Sequence, residues 1–192
     1  MTRELPLFPL QTVLFPGGPL HLRIFEPRYL DMVASVLRGD NRFGVVAIRS
    51  GSEVGVAEMF AVGTSAEIVD WQEAQGLLAI STLGRDSFRI EDASRRPDGL
   101  YVGRVELLED LPTTPLPAEH VKLAGLLKRL LAQLPIYTPI ATAYDDATWV
   151  GARLTEILPL AVPIKQAVLE ARDPRERLER IAAALSAQPM LA

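Results

Sequence analysis

Two Phe-Pro pairs, Phe8-Pro9 and Phe15-Pro16, interrupt the apolar opening of this chain, and Glu26-Pro27-Arg28-Tyr29 closes it. A proline fixes its own φ, lacks an N–H, and pushes the residue before it into an extended conformation. A segment so punctuated cannot form a long helix or a long central strand. Residues 5–16 and 20–25 therefore read as short, broken strands, with Gly17-Gly18 as a turn that tolerates positive φ.

The stretch from Pro27 to Arg38 breaks this pattern. Tyr29, Met32, Val33, Val36 and Leu37 recur at helical spacing, Pro27 suits a first turn, and Gly39 stands where a C-terminal cap belongs. Strand-length runs follow at 43–48, 54–62 and 65–71, with Gly63 as a bulge or bend between the last two. Residues 72–76 read as a turn, 77–83 as the return strand, 88–91 as a half-exposed strand, and 95–99 as another turn. From that turn Tyr101, Val105 and Leu107 line one face of a last strand. Many short strands, frequent turns and one inserted helix point to a small closed or nearly closed barrel.

Residues 111–117 carry three prolines and two threonines and read as a linker. Beyond them the period changes to 3.6. Leu123, Leu127, Leu130 and Leu134 share a helical face, and Val150, Leu154, Ile157 and Leu158 mark a second helix that ends at Pro159. Residues 163–172 make a third. A fourth starts with Asp173 as N-cap, Pro174 and Glu176, and buries Leu178, Ile181 and Leu185. The expected division is a barrel over residues 1–112 and a helical bundle over 113–192.

A chain of 192 residues with 48% apolar and 23% charged side chains has an ordinary globular composition. It has no cysteine, which removes disulfides, thiolate nucleophiles and thiolate metal sites together. A formal charge of −4 argues against general nucleic-acid binding. No apolar stretch is long enough to span a bilayer, and the N-terminus lacks the pattern of a secretory signal, so a cytoplasmic protein is expected.

Catalytic groups are sparse. The two histidines, His21 and His120, belong to no metal-binding spacing; the first alternates with Leu20 and Leu22 on a strand, and the second opens a helix on its polar side. Of the three lysines, Lys122 and Lys128 lie on or near the polar side of a helix and Lys165 has no serine near it in sequence, which speaks against a Ser/Lys dyad. There is no phosphate-binding G-x-x-x-x-G-K-[ST] run. Asp145-Asp146 and Glu109-Asp110 read as solvated loop charge. No catalytic residue, metal or cofactor is expected. Arg85, Arg89, Arg95, Arg96 and Arg104 fall within twenty residues, but Glu91, Asp92, Asp98 and Glu106 are interspersed, so a cross-strand ion-pair lattice is favoured over a phosphate-binding face.

Leu7-Phe-Pro-Leu, Val13-Leu-Phe-Pro-Gly and Ile24-Phe-Glu-Pro-Arg-Tyr-Leu resemble the recognisable blocks of the Lon protease N-terminal domain. Trp149, Arg153-Leu154, Leu158-Pro159, Lys165-Gln166, Leu169-Glu170 and Arg177-Leu178 are similar to the family's helical half. The resemblance implies an α+β fold, a PUA-like β pseudo-barrel with one inserted helix followed by an α-helical bundle. It implies a stand-alone, non-catalytic module without ATPase or peptidase, which binds unfolded or tagged protein segments as an adaptor in protein quality control, with a protease or chaperone as partner. Phe15, Pro16, Phe25 and Tyr29 are the candidate peptide-contacting residues, against the alternative that each packs the barrel or its helix. Glu26 and Arg28 read as a structural pair joining strand, helix and barrel. An RNA-binding PUA-like protein is the second reading and an uncharacterised enzyme the third; the oligomeric state is open.

Overall fold

The computed structural model describes residues 2–74 and 77–187. The chain divides into two compact units, Met1–Glu109 and Asp110–Ala192. In the first, β1 (Thr2–Leu10), β2 (Pro19–Ile24), α1 (Pro27–Val36), β3 (Arg42–Gly51), β4 (Ala57–Ala74), β5 (Leu77–Arg95) and β6 (Tyr101–Leu107) follow one another. The sheet runs β2-β5-β4-β3-β1-β6, and β6 returns to pair with β5. Strands β5, β4, β3, β1 and β6 thus close a ring. Strand β5 shares one edge between two partners: its residues 78–83 pair with β2 and its residues 88–95 with β6.

The prolines of β1 stand where the ring can spare a donor. From Thr2 to Leu7 the strand pairs with β6, and from Leu7 to Leu10 with β3, so only Leu7 has a partner on both sides. Pro6 lies in the first stretch and Pro9 in the second, each with one edge open for the missing N–H. The second Phe-Pro pair is a turn. Gly18 N–H donates to Phe15 O across Pro16 and Gly17, and Gly17 has φ 73°, the pattern of a type II turn. Its backbone docks on β5, with Gly17 N–H donating to Gly84 O and Gly84 N–H to Gly18 O, both at 2.8 Å. A Cβ on Gly84 would collide with Phe15 O, so only glycine permits this approach.

Alternation along the strands builds two cores on opposite faces. Phe8, Leu10, Phe43, Val45, Ile68 and Ile80 pack with Tyr29, Met32, Val33 and Val36 of α1, and the Phe8 and Tyr29 rings stack at 3.9 Å. Burying those four helix side chains contributes roughly 6–10 kcal/mol of hydrophobic free energy, which offsets the entropy of ordering the helix. Leu5, Leu7, Val46, Phe88, Tyr101 and Val105 form the other core. Its fit depends on glycine: a Cβ on Gly63 would stand 2.8 Å from the Phe88 ring and 2.5 Å from Val45 O. The expected bulge is present as well: β4 runs on through Gly63, but its register with β3 shifts between Gly63 and Met59. Against β5 the register of β4 shifts further on, between Thr64 and Ala66 and between Ile68 and Asp70.

Two further expectations change. Gly39 does not take the left-handed cap; the chain leaves α1 through αR turns and the positive φ, 59°, falls on Asn41, whose N–H donates to Val36 O. Of the turn expected at 72–76, residues 72–74 extend β4, and Gln75 and Gly76 lie outside the described residues.

The second unit holds α2 (Val121–Leu131), α3 (Ala147–Ile157), α4 (Val162–Glu170) and α5 (Pro174–Ala187), with 3-10 turns at Ala118–His120 and Pro135–Tyr137. Leu134 lies past the end of α2 rather than on its face. Asp146 caps α3 by accepting from Thr148 N–H, and Asp173 accepts from Arg175 N–H at the start of α5. Glu176 bonds Arg180. The proline-rich stretch expected as a linker is tied to the start of α3. Thr114 N–H donates to Asp146, Ala147 N–H to Thr114 O, and the Thr148 hydroxyl to Pro112 O.

Candidate functional site

The far end of β4 and β5 leaves the ring. Beyond Glu67, β4 has no register with β3, and β2 ends the strand order. The result is a three-stranded lobe, β2-β5-β4, with an unpaired edge on each side among the described residues. Apolar side chains stand exposed on it: Phe25 at 65%, Trp71 at 54%, and Val69 and Leu77 also in the open. Strand parity explains Phe25. Leu20, Leu22 and Ile24 turn toward the core, so His21, Arg23 and Phe25 turn outward. Val69 sits within a register shift, which frees it from the alternation. Open strand edges flanked by exposed apolar side chains are a hazard unless something pairs with them.

The four candidate residues are therefore separated. Phe15 is 0% exposed and Tyr29 is 3% exposed. Both are core side chains, the packing role weighed for them above. The reason is the turn at Pro16 for Phe15 and the stacking on Phe8 for Tyr29, whose hydroxyl pKa burial pushes up to about 12. Pro16 is part-exposed in its turn. Phe25 alone of the four is prominent on the surface. Trp71 and Val69 are not among the sequence candidates, although Asp70-Trp71-Gln72-Glu73 carries a signal: an aromatic between polar residues on a strand.

Next to Phe25 the chain is locked. Arg28, 7% exposed, pairs with Glu26 at 2.8 Å and donates to Gly99 O and Glu53 O, both at 2.9 Å. Its guanidinium also lies 4.6 Å from the Tyr29 ring centroid. One side chain thus joins the β2–α1 corner to the β5–β6 turn and to the β3–β4 loop, where Val54 and Val56 are exposed.

The amino-acid sequence matches the family model of the ATP-dependent protease La (LON) substrate-binding domain over residues 4–187. The chain belongs to this family. A solved Lon N-terminal domain protein from Xanthomonas campestris is 37% identical, with TM-score 0.79 over 94% of this chain and 98% of that one. The N-terminal domain of Mycobacterium avium complex Lon protease, 17% identical with TM-score 0.62 over 97% of this chain and 100% of that one, shares the fold. Lon protease 2 of Myxococcus xanthus is 28% identical over 190 residues, 92% of this chain and 23% of its own length. Protein cereblon of Xenopus tropicalis is 26% identical over 144 residues, 72% of this chain and 31% of its own length. The chain spans about a third or less of these longer relatives. The barrel is accordingly the PUA-like barrel of Lon N-terminal domains.

In this Lon-type domain the arginines between 85 and 104 are largely engaged. Arg85 pairs with Glu67 at 2.7 Å and Arg104 with Glu91 at 3.0 Å. Arg89 faces Glu106 in the β5–β6 register, and Arg95 donates to Gly99 O. A hydrogen bond from Arg85 holds the Glu67 carboxyl below the usual carboxylate range. Lys165 is half-buried, and burial lowers its pKa, but its ammonium donates to Glu156 O at 2.9 Å. Glu156 also pairs with the buried Arg153 and accepts from the Tyr137 hydroxyl, whose pKa rises chiefly through burial. This buried polar group binds the helices together. Among the described residues no group of three or more His, Asp or Glu could hold a metal ion, and no helix is long and apolar enough to cross a membrane.

Proposed function

We propose that this Lon substrate-binding domain is a non-catalytic, cytoplasmic adaptor module that captures extended or unfolded protein segments at the β2-β5-β4 lobe. The observation that carries the reading is the pairing of open strand edges with exposed Phe25, Val69, Trp71 and Leu77 on one three-stranded lobe. An extended segment added to either edge gains main-chain hydrogen bonds, and its apolar side chains find Phe25 or Trp71. The family's description as substrate-binding supports it. A protease or chaperone that receives the captured segment is the partner class this role requires.

The test is fluorescence anisotropy with a panel of labelled unfolded peptides, apolar-rich and polar. Saturable binding of the apolar-rich members, weakened about tenfold or more by Phe25→Asp with Trp71→Ala, is expected; that corresponds to about 1.4 kcal/mol or more. Both residues are exposed, so circular dichroism should be unchanged. Equal binding by wild type and the double variant would move the site away from the lobe.

A further inference from the structure

Some charges of the first unit are paired: Arg3 with Asp40, Arg28 with Glu26, Arg42 with Asp86, Arg49 with Glu58, Arg85 with Glu67 and Arg104 with Glu91. Others stand outside such pairs, and some of these gather at one pocket. Between α1, β1 and the turn before β6 lies a cavity of about 320 Å3. Its floor is apolar, made of Met32, Val36, Leu100 and Val102. Its rim carries three carboxylates, Glu4, Asp31 and Asp98, and one exposed guanidinium, Arg96. Asp98 accepts from Leu100 N–H. Among the described residues, Glu4, Asp31 and Arg96 form no ion pair, and Arg28, which also lines the pocket, is committed to Glu26, Glu53 O and Gly99 O.

We infer that this pocket binds a primary ammonium carried on a short apolar body. Three carboxylates against one free guanidinium leave the rim net negative. The compact ammonium suits carboxylates that sit apart on α1, β1 and a turn, where a single planar fork would not be shared. The floor takes the apolar part, which contributes by leaving water. The volume lies at the lower end of small-ligand sites, enough for one side chain and too small for a peptide. A lysine side chain and the N-terminal residue of a chain with an apolar first side chain both have this chemistry. No lining residue belongs to β2, β4 or β5, so the pocket is separate from the lobe.

The test uses the full chain, labelled with 15N, titrated with hexylamine and with hexanol. Hexylamine should shift the amides of Glu4, Asp31, Ser35 and Arg96 with a dissociation constant on the order of 1 mM, as fits a ligand of that size. Hexanol should bind about tenfold more weakly, and 0.5 M salt should narrow the gap. Glu4→Gln with Asp31→Asn should lose most of the preference, whereas Trp71→Ala should not change it. Acetylated and free forms of a Leu-Gly-Gly amide, and of a lysine flanked by glycines, then separate the two sources; capture of either free form, or of hexylamine alone, supports the site. Equal affinity for the alcohol and the amine, shifts clustered elsewhere, or an unaffected double variant would overturn it.

Discussion

Replacing Arg28 with Met should destabilise the barrel unit more than any surface substitution, and the structure gives the size. The side chain is 7% exposed and holds one carboxylate and two backbone carbonyls. Methionine keeps much of the stem's apolar contact but leaves Gly99 O, Glu53 O and the Glu26 carboxylate without this donor. Each hydrogen bond to a charged group contributes about 1.5–3 kcal/mol. Because the three share one guanidinium they do not add, and loss of one partner of a buried pair typically costs about 3–5 kcal/mol. Set against a total stability of roughly 5–15 kcal/mol, the variant stays folded but marginal. The two tryptophans fall one in each unit, so Trp149→Phe leaves Trp71 to report on the barrel. In urea, a loss of about 4 kcal/mol should lower that unit's midpoint by roughly 2 M. Arg28→Lys should recover only part of it, since an ammonium cannot reproduce the fork. A midpoint moved by less than about 0.5 M in Arg28→Met, with unchanged m, would refute the claim that this side chain ties three segments together.

Gly84→Ala should cost about 3 kcal/mol or more, because the obstacle is the Phe15 carbonyl rather than a mobile side chain; thermal unfolding by circular dichroism would show it. Glu67→Gln tests the ion-pair lattice through pH. The Glu67 pKa is lowered in the folded state, so its contribution is full above the unfolded value of about 4.5 and is lost as pH falls through the folded value. With Glu67 and Arg85 at 27% and 39% side-chain exposure, the difference from wild type at pH 7 should be only about 0.5–1 kcal/mol, and the two stability curves should converge at low pH. In the helical unit, Arg177 donates to Ala171 O and Leu169 O at the buried C-terminal end of α4, and burial lowers its own pKa to about 10. Arg177→Met should cost that unit about 2–4 kcal/mol, read from Trp149 fluorescence in a Trp71→Phe background.

The elements were legible wherever a local rule decided them. Pro27 and the spacing of Tyr29, Met32, Val33 and Val36 gave the inserted helix, and Asp173-Pro174 gave the start of α5. The failures share one physical cause, which is distance in sequence. Gly63 reads as a bulge from its neighbours, and its register with β3 does shift there, but the close approach of Val45 O and the Phe88 ring that requires a glycine comes from distant residues. Phe15 could be a contact residue or a packing one from its neighbours alone, and it is buried because Gly84 lets the turn dock. Trp71 is exposed because β4 outruns β3, a length mismatch that no local pattern encodes.

The pairing of Thr2 with Glu106 has a consequence for how the chain is made. On a ribosome adding about 5–20 residues per second, the first strand is finished roughly 5–20 s before the strand that closes the ring against it. During that interval Leu5 and Leu7 have no final partner on that side, the condition in which an apolar strand recruits its neighbours. Pro6 and Pro9 each remove a donor from that waiting strand. The residues that make the opening segment an awkward strand also keep it from stacking on copies of itself while it waits.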